Sequence, residues 1–159
     1  MHKYSLLPVL PILLTLACSS GGESAPSAST DLDKATAIKQ LETFQNLADE
    51  KKYKEIIPLM GSPAEKEAEL KEKIATIIPR MLESKEISKG GIKILSEKGE
   101  FGSLSEVFPE RGERWAKRVD AKVEDCKALK GPGDVGEAVF CKLGGSWKIT
   151  RLNNVGKLE

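Results

Sequence analysis

The chain has 159 residues, 40% hydrophobic and 31% charged, a composition that suits one compact domain and argues against a disordered or membrane-embedded chain. Its formal net charge is +1, which gives no general pull towards nucleic acid or anionic lipid, so no nucleic-acid partner is expected. The one histidine is His2; a chain shorn of its first residues lacks the commonest general base and metal ligand together, and no metal or other cofactor is expected.

Lys3 makes a basic start, and Tyr4 to Ala17 follow as an apolar run. The run is shorter than the ~20 residues a spanning helix needs, and Pro8 and Pro11 further weaken a helix there. A charged start, a short apolar stretch and a small residue at its end are the marks of a cleaved export signal. Leu14-Thr15-Leu16-Ala17-Cys18 resembles the lipobox of bacterial lipoprotein precursors, with Thr15 where that family usually has leucine. The resemblance implies cleavage after Ala17, a lipid on the Cys18 thiol and a place in the bacterial cell envelope. Ser19 is compatible with the outer rather than the inner membrane in families that sort by that position. An ordinary secretory signal with an incidental cysteine is the alternative. Ser19 to Thr30, SSGGESAPSAST, cannot build a core and reads as a flexible tether. The expected organisation is residues 1–17 as signal peptide, 18–30 as tether and 31–159 as a single domain.

Helical spacing dominates the next stretch. Thr30-Asp31 can cap a first helix, with Asp33 adding charge to its first turn, and Ile38, Leu41, Phe44, Leu47 and Ala48 form its apolar face. Tyr53, Ile56, Ile57 and Met60 predict a short second helix stopped at Gly61. Ser62-Pro63-Ala64-Glu65 predicts the start of a third, whose apolar face runs from Leu70 through Ile74, Ile77 and Ile78 to Met81 and Leu82, with Pro79 expected to kink or end it. Ser88 to Phe101 fits either period: Ile92 and Ile94 alternate as in a strand, whereas Ile87, Gly91, Ile94 and Leu95 fit a helix ending at Gly99, which is the reading preferred. Pro109 to Val119 predicts another helix, with Phe108, Gly112, Trp115 and Val119 on one face and Gly112 permitting close approach to a neighbour.

The last third reads as β-structure: Ala121–Leu129, Glu137–Leu143 and Ser146–Leu152, the last two joined by a Gly144-Gly145 hairpin turn. Placing Cys126 opposite Cys141, and letting the Gly-Gly turn set the second hairpin, collects Ala121, Val123, Leu129, Ala138, Phe140, Trp147 and Ile149 on one face. A one-residue slip in either register would mix that face. The expected fold is therefore α+β, with N-terminal helices packed on one face of a C-terminal antiparallel sheet of three or more strands. A Cys126–Cys141 disulfide is expected on the other face, since export would place both thiols in an oxidising compartment; two free thiols are the alternative.

Helices followed by an antiparallel meander, ending in GGSWKIT from Gly144 to Thr150, resemble the NTF2-like α+β cone. That resemblance implies a pocket on the concave side of the sheet. Asp125 opposite Lys142, beside Phe140 and Trp147, would be the polar contacts of a small apolar cavity, or else an ion pair at the sheet's end. The GxGxxG spelling of Gly131 to Gly136 precedes a strand rather than a helix, so its glycines are read as turn residues. Arg111, Arg114 and Arg118 share a helix face that would suit a grip on phosphate, cell-wall carboxylate or a partner protein, but they alternate with Glu110 and Glu113, and a solvated charged surface is the reading preferred. The expected function is a lipid-anchored, non-enzymatic binding or interaction domain. It would meet the membrane through its acyl chains, and an envelope protein or a small apolar ligand through its fold. An NTF2-like isomerase or dehydratase using Asp125 as base is the competing reading.

Overall fold

The computed structural model describes residues 31–63, 66–84, 86–133 and 136–155. Cys18, the leader and the tether lie outside the described residues, as do Ala64 and Glu65 of the expected third helix start.

Helix α1 spans Lys34–Asp49. Its cap is Asp33 rather than Thr30-Asp31: the Asp33 carboxylate accepts the Thr36 backbone N–H at 2.7 Å. That backbone bond, aided by the Thr36 side chain, holds the Asp33 carboxyl below its ordinary value. Ile38, Leu41, Phe44 and Ala48 are buried as their spacing predicts. Helix α2, Tyr53–Ile56, runs into a 3₁₀ turn, Ile57–Leu59. Gly61 does more than stop a helix. Its N–H bonds the Ile149 carbonyl at 2.8 Å, and a Cβ there would come within 2.7 Å of Leu143 and 2.8 Å of Thr150. Only glycine lets this segment lie against the sheet.

Helix α3 spans Glu67–Glu83 and starts later than the Ser62-Pro63 signal predicts, its cap at Lys66 making no side-chain bond. Pro79 lies inside it, and the helix runs on for another turn. Ile74 and Ile78 before the proline, and Met81 and Leu82 after it, pack on the same core, which compensates the backbone bond that proline removes. Helix α4, Lys89–Lys98, takes the helical side of the ambiguous stretch. Ser88 caps it through the Gly91 N–H at 3.1 Å, and Ile92 and Leu95 face inward.

The sheet has four antiparallel strands in sequence order: β1 Glu100–Ser103, β2 Cys126–Lys130, β3 Glu137–Leu143 and β4 Ser146–Asn153. Cys126 faces Cys141, Lys127 faces Phe140 and Leu129 faces Ala138. In the second hairpin Lys142 faces Trp147, Phe140 faces Ile149 and Cys141 faces Lys148. Both predicted registers hold. Strand β1 was not anticipated; it pairs with β2 from Glu100 opposite Lys130 to Ser103 opposite Lys127. Strand β2 is shorter than expected. Val123–Asp125 close a 3₁₀ turn, with the Asp125 N–H bonded to the Lys122 carbonyl, so the ladder begins at Cys126.

The hairpin register changes once. Val139 faces Arg151, whereas Phe140 faces Ile149, so Thr150 is an extra residue in β4. Its hydroxyl bonds the Val139 carbonyl at 3.2 Å. Strict alternation from Trp147 would send Arg151 into the helix-covered core and Leu152 out of it. The bulge reverses both: Leu152 packs on that core and Arg151 turns to the other face.

Both faces of the sheet are covered. Leu129, Ala138, Phe140 and Ile149 meet Ile38, Leu41, Phe44, Ile78 and Leu95 of the long helices in one buried cluster. On the reverse face Cys126, Ala128, Val139 and Cys141 meet a second cluster from two short helices, α5 Leu104–Val107 and α6 Gly112–Lys117. The expected Pro109–Val119 helix is thus only Gly112–Lys117, but Phe108, Gly112, Trp115 and Val119 are all buried on one side of it. Gly112 allows the predicted close approach: a Cβ would sit 3.1 Å from the Leu104 carbonyl oxygen. Ala121 and Val123, expected beside Leu129, pack against this second cluster instead, because they precede the ladder and follow α6.

Candidate functional site

The residues singled out from sequence do not gather into one pocket. Phe140 is completely buried in the main core, and Trp147 packs against that core half-buried. Lys142 is exposed near the β3–β4 turn, and Asp125 is exposed on its 3₁₀ turn before the ladder. The expected Asp125–Lys142 opposition is therefore corrected: the turn takes Asp125 out of register, and the side of the sheet meant for the cavity is filled by side chains. Cys126 and Cys141 do form a disulfide, with Cα atoms 4.1 Å apart and both residues fully buried beneath α5 and α6. Closing a loop of this size contributes about 3 kcal/mol in the chain-entropy model. Cys18 lies outside the described residues. Among those residues, no group of three or more His, Cys, Asp or Glu could hold a metal, and no helix is long and apolar enough to cross a membrane.

The structure builds a different site, on the reverse face where β2 and β4 end and β3 begins. Its foundation is aromatic. Helix α5 starts in a capping box, with Ser103 accepting the Glu106 N–H while the Glu106 carboxylate reaches back to the Ser103 N–H. The helix ends after one turn at Phe108, whose carbonyl accepts the Gly112 N–H at 2.8 Å and so leads the chain into α6. Trp115, on the inner side of α6, then meets Phe108 with ring centres 4.9 Å apart and planes tilted by 60°.

Charged groups are laid over these rings. The Arg151 guanidinium lies 4.4 Å from the Trp115 ring centre, and the Lys130 ammonium lies 5.6 Å from that of Phe108. Arg151 Nε donates to Glu137 Oε1 at 2.8 Å, and Asn153 Nδ2 donates to the same oxygen at 3.1 Å. Glu137 is only 9% exposed. Burying a carboxylate costs far more than either bond returns in water, so these two donors are what make its position tenable. The bulge at Thr150 is the structural cause, since it turns Arg151 towards Glu137.

A cleft of about 400 Å³ opens beside this network, lined by Phe108, Arg111, Lys130, Glu137, Asn153 and Asn154, among others. Gly133 and Gly136 border it, and the Gly131 N–H bonds the Gly136 carbonyl at 2.8 Å just before β3, as a turn reading requires. A larger hollow of about 770 Å³ lies near the β3–β4 turn. Its lysines are mostly engaged: Lys71 pairs with Glu67, and Lys148 donates to the Pro58 carbonyl. The smaller cleft is the better candidate because its polar groups are held in place by partners behind them.

Sequence reading singled out Arg111 in this site, and that as part of a solvated face. It missed Phe108 and Trp115 as ring supports, and Lys130, Glu137, Arg151 and Asn153 altogether. One signal was available: Ile149-Thr150-Arg151-Leu152 breaks the period-two pattern where the bulge lies. No family model, no curated protein and no solved structure matches this chain.

Proposed function

We propose that this chain is a lipid-anchored protein of the bacterial cell envelope whose folded domain binds a ligand or partner and performs no chemistry. The observation that carries the reading is the buried Cys126–Cys141 disulfide. Such a bond persists where thiols oxidise, and export through a leader cut between Ala17 and Cys18 takes the chain to such a compartment. Ser19 to Thr30 would hold the domain off the membrane, and acyl chains at ~0.8 kcal/mol per buried methylene would keep it there. The outer membrane fits Ser19 better than the inner. The binding surface is the cleft beside Glu137, where a fixed carboxylate, an aromatic floor and two cations converge.

The isomerase or dehydratase reading has less support. Its base, Asp125, is exposed, and of the apolar side chains meant to surround it Phe140 is closed inside the core while Trp147 packs half-buried against that core.

Intact mass of the membrane-extracted protein, before and after reduction, tests the proposal. The expected species lacks residues 1–17, carries acyl chains, and gains two hydrogens on reduction. A species that retains Met1, carries no lipid and has every thiol free would overturn it.

A further inference from the structure

We infer that the cleft beside Glu137 takes a zwitterionic ligand, of the class of a free amino acid or a short peptide with unblocked ends. This rests on the reading of that cleft as the binding site, and it names what would occupy it.

Lys130 and Glu137 face each other directly across the β2–β3 ladder. Opposite charges so placed ordinarily pair with one another. Here they do not: Glu137 takes its cation from Arg151, while Lys130 lies over Phe108 and is in no ion pair with Glu137. Two opposite charges thus stand in one cleft, each braced from behind and neither neutralising the other, with one further charge of each sign, Glu110 and Arg111, on its lining. Both bonds to Glu137 end on Oε1, which leaves Oε2 outside the Arg151 and Asn153 contacts. A ligand ammonium can donate to that oxygen, and a ligand carboxylate can meet Lys130, with Arg111 beside the same cleft. A purely anionic ligand would face Glu110 and Glu137, and a purely cationic one would face Lys130 and Arg111. A ligand carrying both charges answers the arrangement, and about 400 Å³ leaves room for a dipeptide.

The test uses the full chain purified from membranes in detergent, labelled with ¹⁵N and titrated with alanyl-alanine. Parallel titrations use its N-acetyl form, its C-terminal amide and the doubly blocked peptide. The free dipeptide is expected to shift amides at Lys130, Gly136 and Asn153 to Val155, and blocking either end to weaken binding at least tenfold. Lys130→Met should weaken the free dipeptide by a similar factor while leaving the amide form unchanged. Lys130 is only half-buried, so that variant should keep its fold, which its unperturbed remaining spectrum would verify. Equal binding of free and blocked peptides overturns the zwitterion while keeping the cleft as a site. Shifts confined to another part of the molecule, or none up to the solubility limit of the dipeptide, overturn the ligand class and the cleft together. Neither result alters the mass measurement that tests the lipid anchor.

Discussion

On one face of the sheet, Leu41, Phe44, Ile78 and Phe140 are sealed from solvent beneath helices that include two of sixteen and seventeen residues. On the other face, helices of four and six residues lie over a disulfide. Helices that short do not hold together in water by themselves. The first face is stabilised by apolar area, at roughly 1.5–3 kcal/mol for each large side chain fully buried. The second buries apolar area too, with Leu104, Val107, Trp115 and Val139 in its own cluster, and adds to it a covalent staple, a pair of tilted rings and charges laid across them. The candidate site is on the second face. The less self-sufficient layer is where polar groups remain near the surface with their positions set by neighbours, as binding sites need.

The comparison can be broken by changing each layer's support in turn. Phe140→Ala should cost about 3–5 kcal/mol, because it empties a closed space in the main core. Urea unfolding should show the whole domain losing stability together; a loss confined to α5 and α6 would mean the two layers are not divided as described. Replacing Cys126 and Cys141 together with alanine should cost about 3 kcal/mol. Amide exchange should then rise first in Leu104–Val107 and Gly112–Lys117, with α1 still protected. Uniform acceleration across both layers would erase the distinction between them.

Smaller changes sharpen it. Arg151→Met removes the charged donor to Glu137 and should cost about 1–3 kcal/mol, the usual range for stranding a buried hydrogen-bonding group. Glu137 is a buried carboxylate that would lose its cation, so the upper end of that range is expected even though Asn153 still donates to it, together with a change in Trp115 fluorescence as the stacked guanidinium leaves. The smallest effect belongs to the cap of α1. The Asp33 carboxyl is depressed below its ordinary value of 3.8 by the Thr36 bonds. Its contribution is therefore present above the unfolded value and is lost as pH falls through the folded one. Asp33→Asn keeps an acceptor for Thr36 but cannot titrate, so its melting temperature should fall less steeply than that of the parent below pH 3.8. Parallel slopes would assign the acid sensitivity elsewhere.

How much of this was legible beforehand varies from element to element. The two hairpin registers and the disulfide could be read because Leu129, Ala138, Phe140, Trp147 and Ile149 form one apolar face only in the observed pairing. Strand β1 could not: Glu100-Phe101-Gly102-Ser103 has a single large apolar residue, and it is extended because β2 offers an edge to pair with. Ala121 and Val123 alternate like strand residues, yet they end in contacts with the α6 layer after a 3₁₀ turn intervenes. The cleft was illegible for a related reason. Phe108, Lys130, Glu137 and Arg151 lie on four different elements or their ends, and no spacing connects them.

Periodicity and turn chemistry alone determined that this chain pairs helices with an antiparallel sheet, which side chains of β2 and β3 face each other, and that Cys126 meets Cys141. These are local properties, repeated every two or every three to four residues, and burial enforces them. Only the tertiary structure decided that the reverse face would also be covered, that Thr150 would be squeezed into a bulge, and that Arg151 would leave Lys130 without Glu137. Those outcomes depend on which distant groups compete for the same space and the same charge, a contest that the order of residues along the chain does not record.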